Sequence, residues 1–145
     1  MAWRLAVRDD PADTDREAIL APLRAYNRAQ AGDARVRQVA IVVEDEAGAV
    51  AGGLWGRIGY GWLFIELLVV PEAARGAGLG RQLMARAEAM ARDAECAGIW
   101  LDTFEFQARG FYEKLGFSLF GTLDDYPAGH HRYFLMKRLD GASTD

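Results

Sequence analysis

Apolar and polar residues follow one another in segments that predict a mixture of strands and helices. Apolar positions alternate over residues 3–8 and predict a first strand. They recur three and four positions apart from residue 13 to Gly32 and predict a helix, which Pro22 should kink or split. β-branched residues over 37–44 and 50–57, separated by a turn at 46–48, predict a hairpin.

The middle of the chain has the clearest pattern of predicted strands and helices. Residues 62–70 are so apolar that they predict a central strand covered on both faces. A glycine-rich stretch follows, and after it apolar residues recur at helical spacing and predict a helix that ends at Gly98. Residues 99–101 predict a short strand that closes a βαβ unit. A short helix at 107–115, two strands at 117–121 and 132–138, and a frayed polar tail at 140–145 complete the prediction.

This element order, with no repeat or linker, predicts one domain over residues 1–145 of the α/β (α+β) class, with a mixed sheet. The chain is 51% hydrophobic and 26% charged, which excludes a disordered protein. A net charge of -4 disfavours nucleic acid as a partner. No signal peptide or apolar run long enough to span a membrane is evident, and the single cysteine, Cys96, favours a reducing cytoplasm.

The glycine-rich stretch at residues 75–80 has the chemistry of an anion site. The first N–H groups of a helix lack internal partners, the helix dipole is positive there, and glycine lets a ligand approach the backbone. Arg75 and Arg81 add positive charge. The simpler interpretation is a plain strand-to-helix turn, but three glycines within five residues exceed what a turn requires.

Two phosphate-binding motifs fit this stretch poorly. A Walker loop needs Lys and Ser or Thr after its last glycine, whereas Arg81 and Gln82 follow Gly80. A dinucleotide fingerprint is matched only in part, because its third glycine would fall on Arg81, although Asp102 does end the next predicted strand. A dinucleotide-binding enzyme therefore stays open as a minor alternative.

The pattern that fits is Arg75-x-x-Gly78-x-Gly80 after a buried strand, which resembles the acyl-CoA pyrophosphate loop of the GNAT N-acetyltransferase superfamily. Residues 108–117, Ala-Arg-Gly-Phe-Tyr-Glu-Lys-Leu-Gly-Phe, resemble a second motif of that superfamily. The resemblance implies about six to seven strands and three to four helices, with a splayed parallel strand pair that holds acyl-CoA. It also implies acetyl transfer from acetyl-CoA to a primary amine, by direct attack on the thioester. A non-catalytic acyl-CoA-binding module is the alternative.

The resemblance also assigns the cofactor site. The strand before the loop would present its backbone to the pantetheine arm, with a bulge there that separates it from the next parallel strand. An N–H near Val69 would bond the thioester oxygen. The residues expected to bind acetyl-CoA are Leu68, Val69, Val70, Arg75, Gly76, Ala77, Gly78, Leu79, Gly80, Arg81, Gln107 and Tyr112.

Tyr112 and Glu66 are the candidate catalytic residues. Tyr112 matches the family tyrosine that faces the sulfur; since a phenol is a weaker acid than a thiol, hydrogen bonding to the thiolate is the expected role. A tyrosine that only packs against Phe111 and Leu115 is the alternative. Glu66 is the one ionisable residue in 62–70 and is the candidate base for the incoming ammonium, or else a solvent-facing or salt-bridged carboxylate.

The acceptor site is predicted from Asn27, Trp62, Glu66 and Glu105. Glu105 stands where the family often has Asn, and Gln107 is expected to supply the missing amide. The adjacent His130 and His131 are interpreted as loop residues or acceptor contacts, and no metal is expected. The expected partner is a small-molecule or peptide amine, with a homodimer as a family-based expectation and no membrane association.

Overall fold

The computed structural model describes residues 2–140, so the predicted frayed tail falls outside the described residues apart from Asp140. The chain divides into two units, one up to Ala34 and one from Arg35 onward. None of the described helices is both long and apolar enough to cross a lipid bilayer.

The first unit consists of a segment without regular structure and one helix, α1 (Asp13–Ala31). The strand predicted over residues 3–8 is wrong: no strand is formed there. The alternation of apolar and polar residues determines which face of a strand would be buried, but a strand also needs a hydrogen-bonding neighbour. Pro22 does not split α1, which continues past it to Gly32, whose N–H bonds the carbonyl of Arg28.

The second unit is built on a six-stranded mixed sheet in the order β1-β2-β3-β4-β6-β5. Its elements are β1 (Arg37–Glu44), β2 (Val50–Gly59), β3 (Trp62–Val69), a 3₁₀ turn (Glu72–Ala74), α2 (Leu79–Asp93), β4 (Gly98–Phe104), α3 (Arg109–Lys114), β5 (Ser118–Asp124) and β6 (His131–Arg138).

One strand pair in this sheet, β3 with β4, is parallel, and every other neighbouring pair is antiparallel. The predicted fold class and βαβ unit are therefore confirmed. A doubly wound dinucleotide-binding sheet is mostly parallel, so this topology speaks against that alternative.

The core lies between α2 and one face of the sheet. Leu83, Ala87 and Ala91 of α2 are at most 4% exposed, and they face a sheet whose Leu63 and Leu135 are fully buried. The prediction that β3 is covered on both faces is wrong for its second half. Leu63 and Ile65 are buried, but Glu66, Leu67 and Val69 are exposed, because the described elements of this unit cover one face there.

Ionic contacts tie α2 to β6. Lys137 Nζ donates to Glu88 Oε1 over 2.8 Å, and Arg92 donates both to Glu88 and to the carbonyl of Leu139. Burial acts to raise the pKa of the Glu88 carboxyl, but the hydrogen bonds from Lys137 and Arg92 outweigh it and lower that pKa. These contacts hold α2 in one orientation along the sheet.

Replacing Gly98 by Ala should destabilise the protein by about 1–3 kcal/mol, the usual range for overpacking. A Cβ there would lie 2.6 Å from the Trp62 ring and 2.8 Å from the Lys137 carbonyl oxygen. Gly110→Ala is the control, because a Cβ at that helical position meets nothing within 4 Å. Urea unfolding of both variants measures the difference, and equal midpoints would contradict the packing described at Gly98.

Candidate active site

Strands β3 and β4 are paired for only the first half of their length and then separate. Their register runs from Trp62 opposite Gly98 to Ile65 opposite Leu101 and stops there. Beyond this point β3 stays paired with β2 as far as Val69, and β4 stays paired with β6 as far as Phe104. The two strands therefore open into a notch whose facing backbone edges lack a strand partner.

A bulge in β3 coincides with the opening. The register with β2 shifts between Trp55 and Gly56, where β3 carries one extra residue, Glu66. The resemblance predicts a bulge in the strand before the glycine-rich loop, and the bulge lies in that strand. A bulge bends its strand and increases the local twist, which turns the end of β3 away from β4.

The 3₁₀ turn and then the glycine-rich loop connect β3 to α2. Gly76 and Gly78 have φ values of 89° and 78°, a region that favours glycine, and Gly78 is the N-cap of α2. A Cβ at either position would meet nothing within 4 Å, so the space beside the loop is open. Among the described residues, nothing accepts a hydrogen bond from the N–H groups of residues 78–81. Arg75 and Arg81 are exposed beside them.

The two sequence motifs meet at the first turn of α2. A Cβ on Gly80 would lie 3.3 Å from the Phe111 ring and 3.7 Å from a methyl carbon of Val70. The end of β3, the start of α2 and the short helix α3 are therefore packed together at the mouth of the notch. This contact places Tyr112, the next residue of α3, close to the same corner.

Tyr112 is buried, with its ring edge-on to Phe111 and Phe117 at centroid distances of 5.2 and 6.0 Å. Burial, and secondarily the negative charge of Asp102, raise the pKa of the Tyr112 phenol to about 12. Against an ordinary thiol, complete proton transfer to a thiolate would then be uphill by about 5 kcal/mol. The phenol can donate a hydrogen bond but is a poor proton source.

Glu66 lies on the exposed face of β3. Its side chain is 50% exposed, and Oε1 lies 4.0 Å from Arg57 Nη1, whose guanidinium stacks over the Phe64 ring. Of the interpretations offered by the sequence, the geometry therefore matches a solvent-facing carboxylate with a distant ion partner.

Glu105 and Gln107 each accept a backbone hydrogen bond, Glu105 from the start of β6 and Gln107 from the end of β4. Glu105 Oε1 accepts a 2.7 Å hydrogen bond from the N–H of His131 and lies 3.4 Å from His130 Nδ1. Gln107 Oε1 accepts from the Phe104 N–H and the Thr103 hydroxyl. The amide oxygen of Gln107 is thus occupied by the end of β4, and these two contacts do not use its NH₂ group.

Of the residues predicted to contact the acceptor, Trp62 is not brought to the notch. Trp62 lies at the opposite end of β3, with its ring against Gly98 and beneath Arg138. Asn27 belongs to α1 in the first unit. Cys96 is 4% exposed, and burial raises the pKa of its thiol, which disfavours the nucleophilic thiolate.

Sequence analysis missed an ion pair beside the notch. Arg132 Nε and Nη2 both donate to Asp102 Oδ1, at 2.9 and 2.6 Å. The pairing of Asp102 with Phe134 and of Phe104 with Arg132 brings the two residues onto adjacent strands. Because 30 residues separate them in the chain, no local pattern marks the pair.

This arrangement indicates the class of protein. An opened parallel strand pair next to an uncapped helix start suits a long carrier with a diphosphate, as coenzyme A is, and so indicates an acyl-CoA-dependent transferase. The chain belongs to the GNAT acetyltransferase family, whose model matches residues 4–117. It is accordingly an enzyme that transfers an acetyl group from acetyl-CoA to an amine.

Relatives agree with this assignment over nearly the whole chain. An acetyltransferase of Agrobacterium fabrum is 41% identical over 133 residues, covering 91% of this chain and 97% of the relative. The blasticidin-S acetyltransferase of Streptomyces morookaense is 44% identical over 119 residues, covering 81% and 88%. A crystal structure from Agrobacterium tumefaciens, assigned to the acetyltransferases, superposes with a TM-score of 0.89 at 36% identity, covering 94% and 100%.

The Tyr112 phenol should stay protonated near pH 10, where ordinary phenols ionise. Absorbance at 295 nm of the native protein and of Tyr112→Phe should therefore change identically up to that pH and diverge only above it. Near-UV circular dichroism at each pH verifies that the fold is intact. A difference between the two proteins already present near pH 10 would contradict the burial of this ring.

Proposed function

We propose that the notch between β3 and β4 is the acetyl-transfer site and that the acceptor amine attacks the thioester of acetyl-CoA directly. The observation that carries this proposal is the uncapped start of α2 beside the unpaired edge of β3. Bound there, acetyl-CoA supplies an activated acetyl group. The protein supplies orientation, hydrogen bonds and exclusion of water.

The backbone would do most of the cofactor binding. The N–H groups of residues 78–81 have no acceptor among the described residues and can donate to the diphosphate oxygens, with Arg75 and Arg81 adding charge. The edge of β3 from Leu68 to Val70 can pair with the pantetheine amides as a further strand would. An N–H at Val69 would then stabilise the oxyanion.

Tyr112 would stabilise the leaving thiolate by donating a hydrogen bond. Its high pKa keeps the donor proton in place through the physiological range. Because full proton transfer is unfavourable, the thiolate would collect its proton from solvent. Cys96 is too buried to take part as an acyl carrier, which supports direct attack without an acyl-enzyme.

Glu66 would receive the proton of the incoming ammonium, directly or through water. It sits at the bulge that opens the notch, on the face from which an acceptor can approach. Its exposure favours a role through water and through attraction of a cation. We further propose a small-molecule acceptor, as in the blasticidin-S relative, and a cytoplasmic location in line with the single free cysteine.

Gly78→Ala should weaken coenzyme A binding by about tenfold or more, the effect of losing one charge-assisted hydrogen bond. Gly48→Ala is a matched control. Gly48 and Gly78 have φ values of 84° and 78°, and a Cβ at either meets nothing within 4 Å. Both variants should therefore lose similar stability, while only Gly78→Ala should lose affinity in calorimetric titration with coenzyme A.

Equal affinities of the two glycine variants for coenzyme A would show that the loop is not part of the cofactor site.

Turnover is tested separately, by assaying acetyl-CoA consumption against polyamines, aminoglycosides, nucleoside antibiotics, amino acids and peptide N-termini. Binding of coenzyme A without turnover on any of these amines would leave the chain as a binding module.

Glu66→Gln should reduce kcat/KM for a primary amine by about tenfold or more at pH 7, because most of the amine is then protonated and needs a base. The loss should shrink as the pH approaches the amine's own pKa, where the neutral nucleophile forms without help. Glu46→Gln, in the β1–β2 turn, is the control for removing one exposed carboxylate. A loss that stays constant with pH would argue against a role in proton removal.

A further inference from the structure

An aromatic stack begins at the end of β4 and ends at an exposed phenylalanine. Phe104 and Phe106 are parallel within 4° at a centroid distance of 5.2 Å. Phe104 is half-buried, but Phe106 is 59% exposed, and Tyr126 beside them is 43% exposed. Phe104 stacks on one face of the Phe106 ring, and more than half of Phe106 remains exposed to solvent.

Arg132 secures the inner end of this stack. Its guanidinium lies 5.1 Å from the Phe104 centroid and 4.5 Å from that of Tyr126, within cation–π range. Asp102 holds the same guanidinium by two hydrogen bonds. Arg132 is therefore fixed and neutralised, and the rings that it carries are held in place before any ligand arrives.

The stack lies next to the reaction site. Residues 102–104 form the β4 side of the notch. The negative charge of Asp102 contributes to the raised pKa of the Tyr112 phenol. Trp100 and Phe64, paired across β3 and β4, stack at 4.2 Å on the face that also carries Arg57 and Glu66.

The surroundings of the rings are negatively charged. Glu105, Asp124 and Asp125 border them and are all exposed, whereas Arg132 is already paired with Asp102. His130 meets Phe106 edge-on at 5.2 Å, and Glu105 and Asp125 hold the β5–β6 loop through backbone N–H groups. An excess of carboxylates around exposed rings favours a ligand that combines positive charge with a flat surface.

We propose that Phe106, supported by Phe104, Tyr126 and Arg132, is the platform on which the acceptor lays a flat ring that is joined to its cationic amine. This inference rests on the proposed function, because it takes the notch to be the site of acetyl transfer. The acceptor ring extends the stack by one member, and its amine points from the rings towards Glu66 and the thioester.

The test compares two amines of equal charge, 2-phenylethylamine and 2-cyclohexylethylamine. The native enzyme should prefer the flat ring in kcat/KM by roughly three- to tenfold, the worth of one aromatic contact. Phe106→Leu should reduce this preference to near one without changing the Kd of acetyl-CoA. Phe120→Leu is the matched control, since Phe120 is 52% exposed on β5 and packs on Phe134 outside the stack.

Binding without turnover separates this inference from the proposed function. Benzamidine, which is flat and cationic, should bind in ligand-observed NMR more tightly than cyclohexanecarboxamidine, and Phe106→Leu should abolish the difference. Equal binding of the two probes, or a preference that survives Phe106→Leu, overturns the platform even if acetyl transfer is active. A change of sedimentation in Phe106→Leu would identify the rings as a contact between copies of the chain and would equally overturn it.

Discussion

The parting of β3 and β4 after Ile65 and Leu101 is the constraint on which the site depends. Backbone N–H and C=O groups inside a sheet are normally satisfied by the neighbouring strand, and here a stretch of each strand gives up that partner. The deficit persists because both strands keep their outer neighbours, β2 and β6, along the opened region. A ligand with its own amide groups can restore the missing hydrogen bonds, so the notch favours an extended carrier.

The start of α2 adds a second set of unpaired donors to the same corner. Gly76 and Gly78 adopt positive φ angles and keep side chains out of the way, and Phe111 closes the inner side by packing on Gly80. In the proposed function, affinity for the diphosphate and alignment of the thioester would therefore come mainly from the backbone. Side chains such as Tyr112 and Glu66 would then act on the protons of the thiol and the amine.

The elements that sequence reasoning predicted well are those whose signals are local. Hydrophobic spacing and glycine punctuation were enough for the βαβ unit around α2 and for the motif that contains Tyr112. What it missed depends on pairing: no strand forms at residues 3–8, because a strand also needs a hydrogen-bonding neighbour. The Asp102–Arg132 ion pair could not be predicted, since β4 and β6 become neighbours only through a crossover.

The burial of the sole cysteine has a practical consequence for studying the enzyme. Cys96 is 4% exposed in the hydrophobic core, so the folded protein offers little reactive sulfur of its own. Aromatic disulfide reagents can therefore follow the sulfhydryl released at each turnover against a low background. A cysteine introduced at the surface would likewise accept a fluorophore at one defined position, without removal of the native residue.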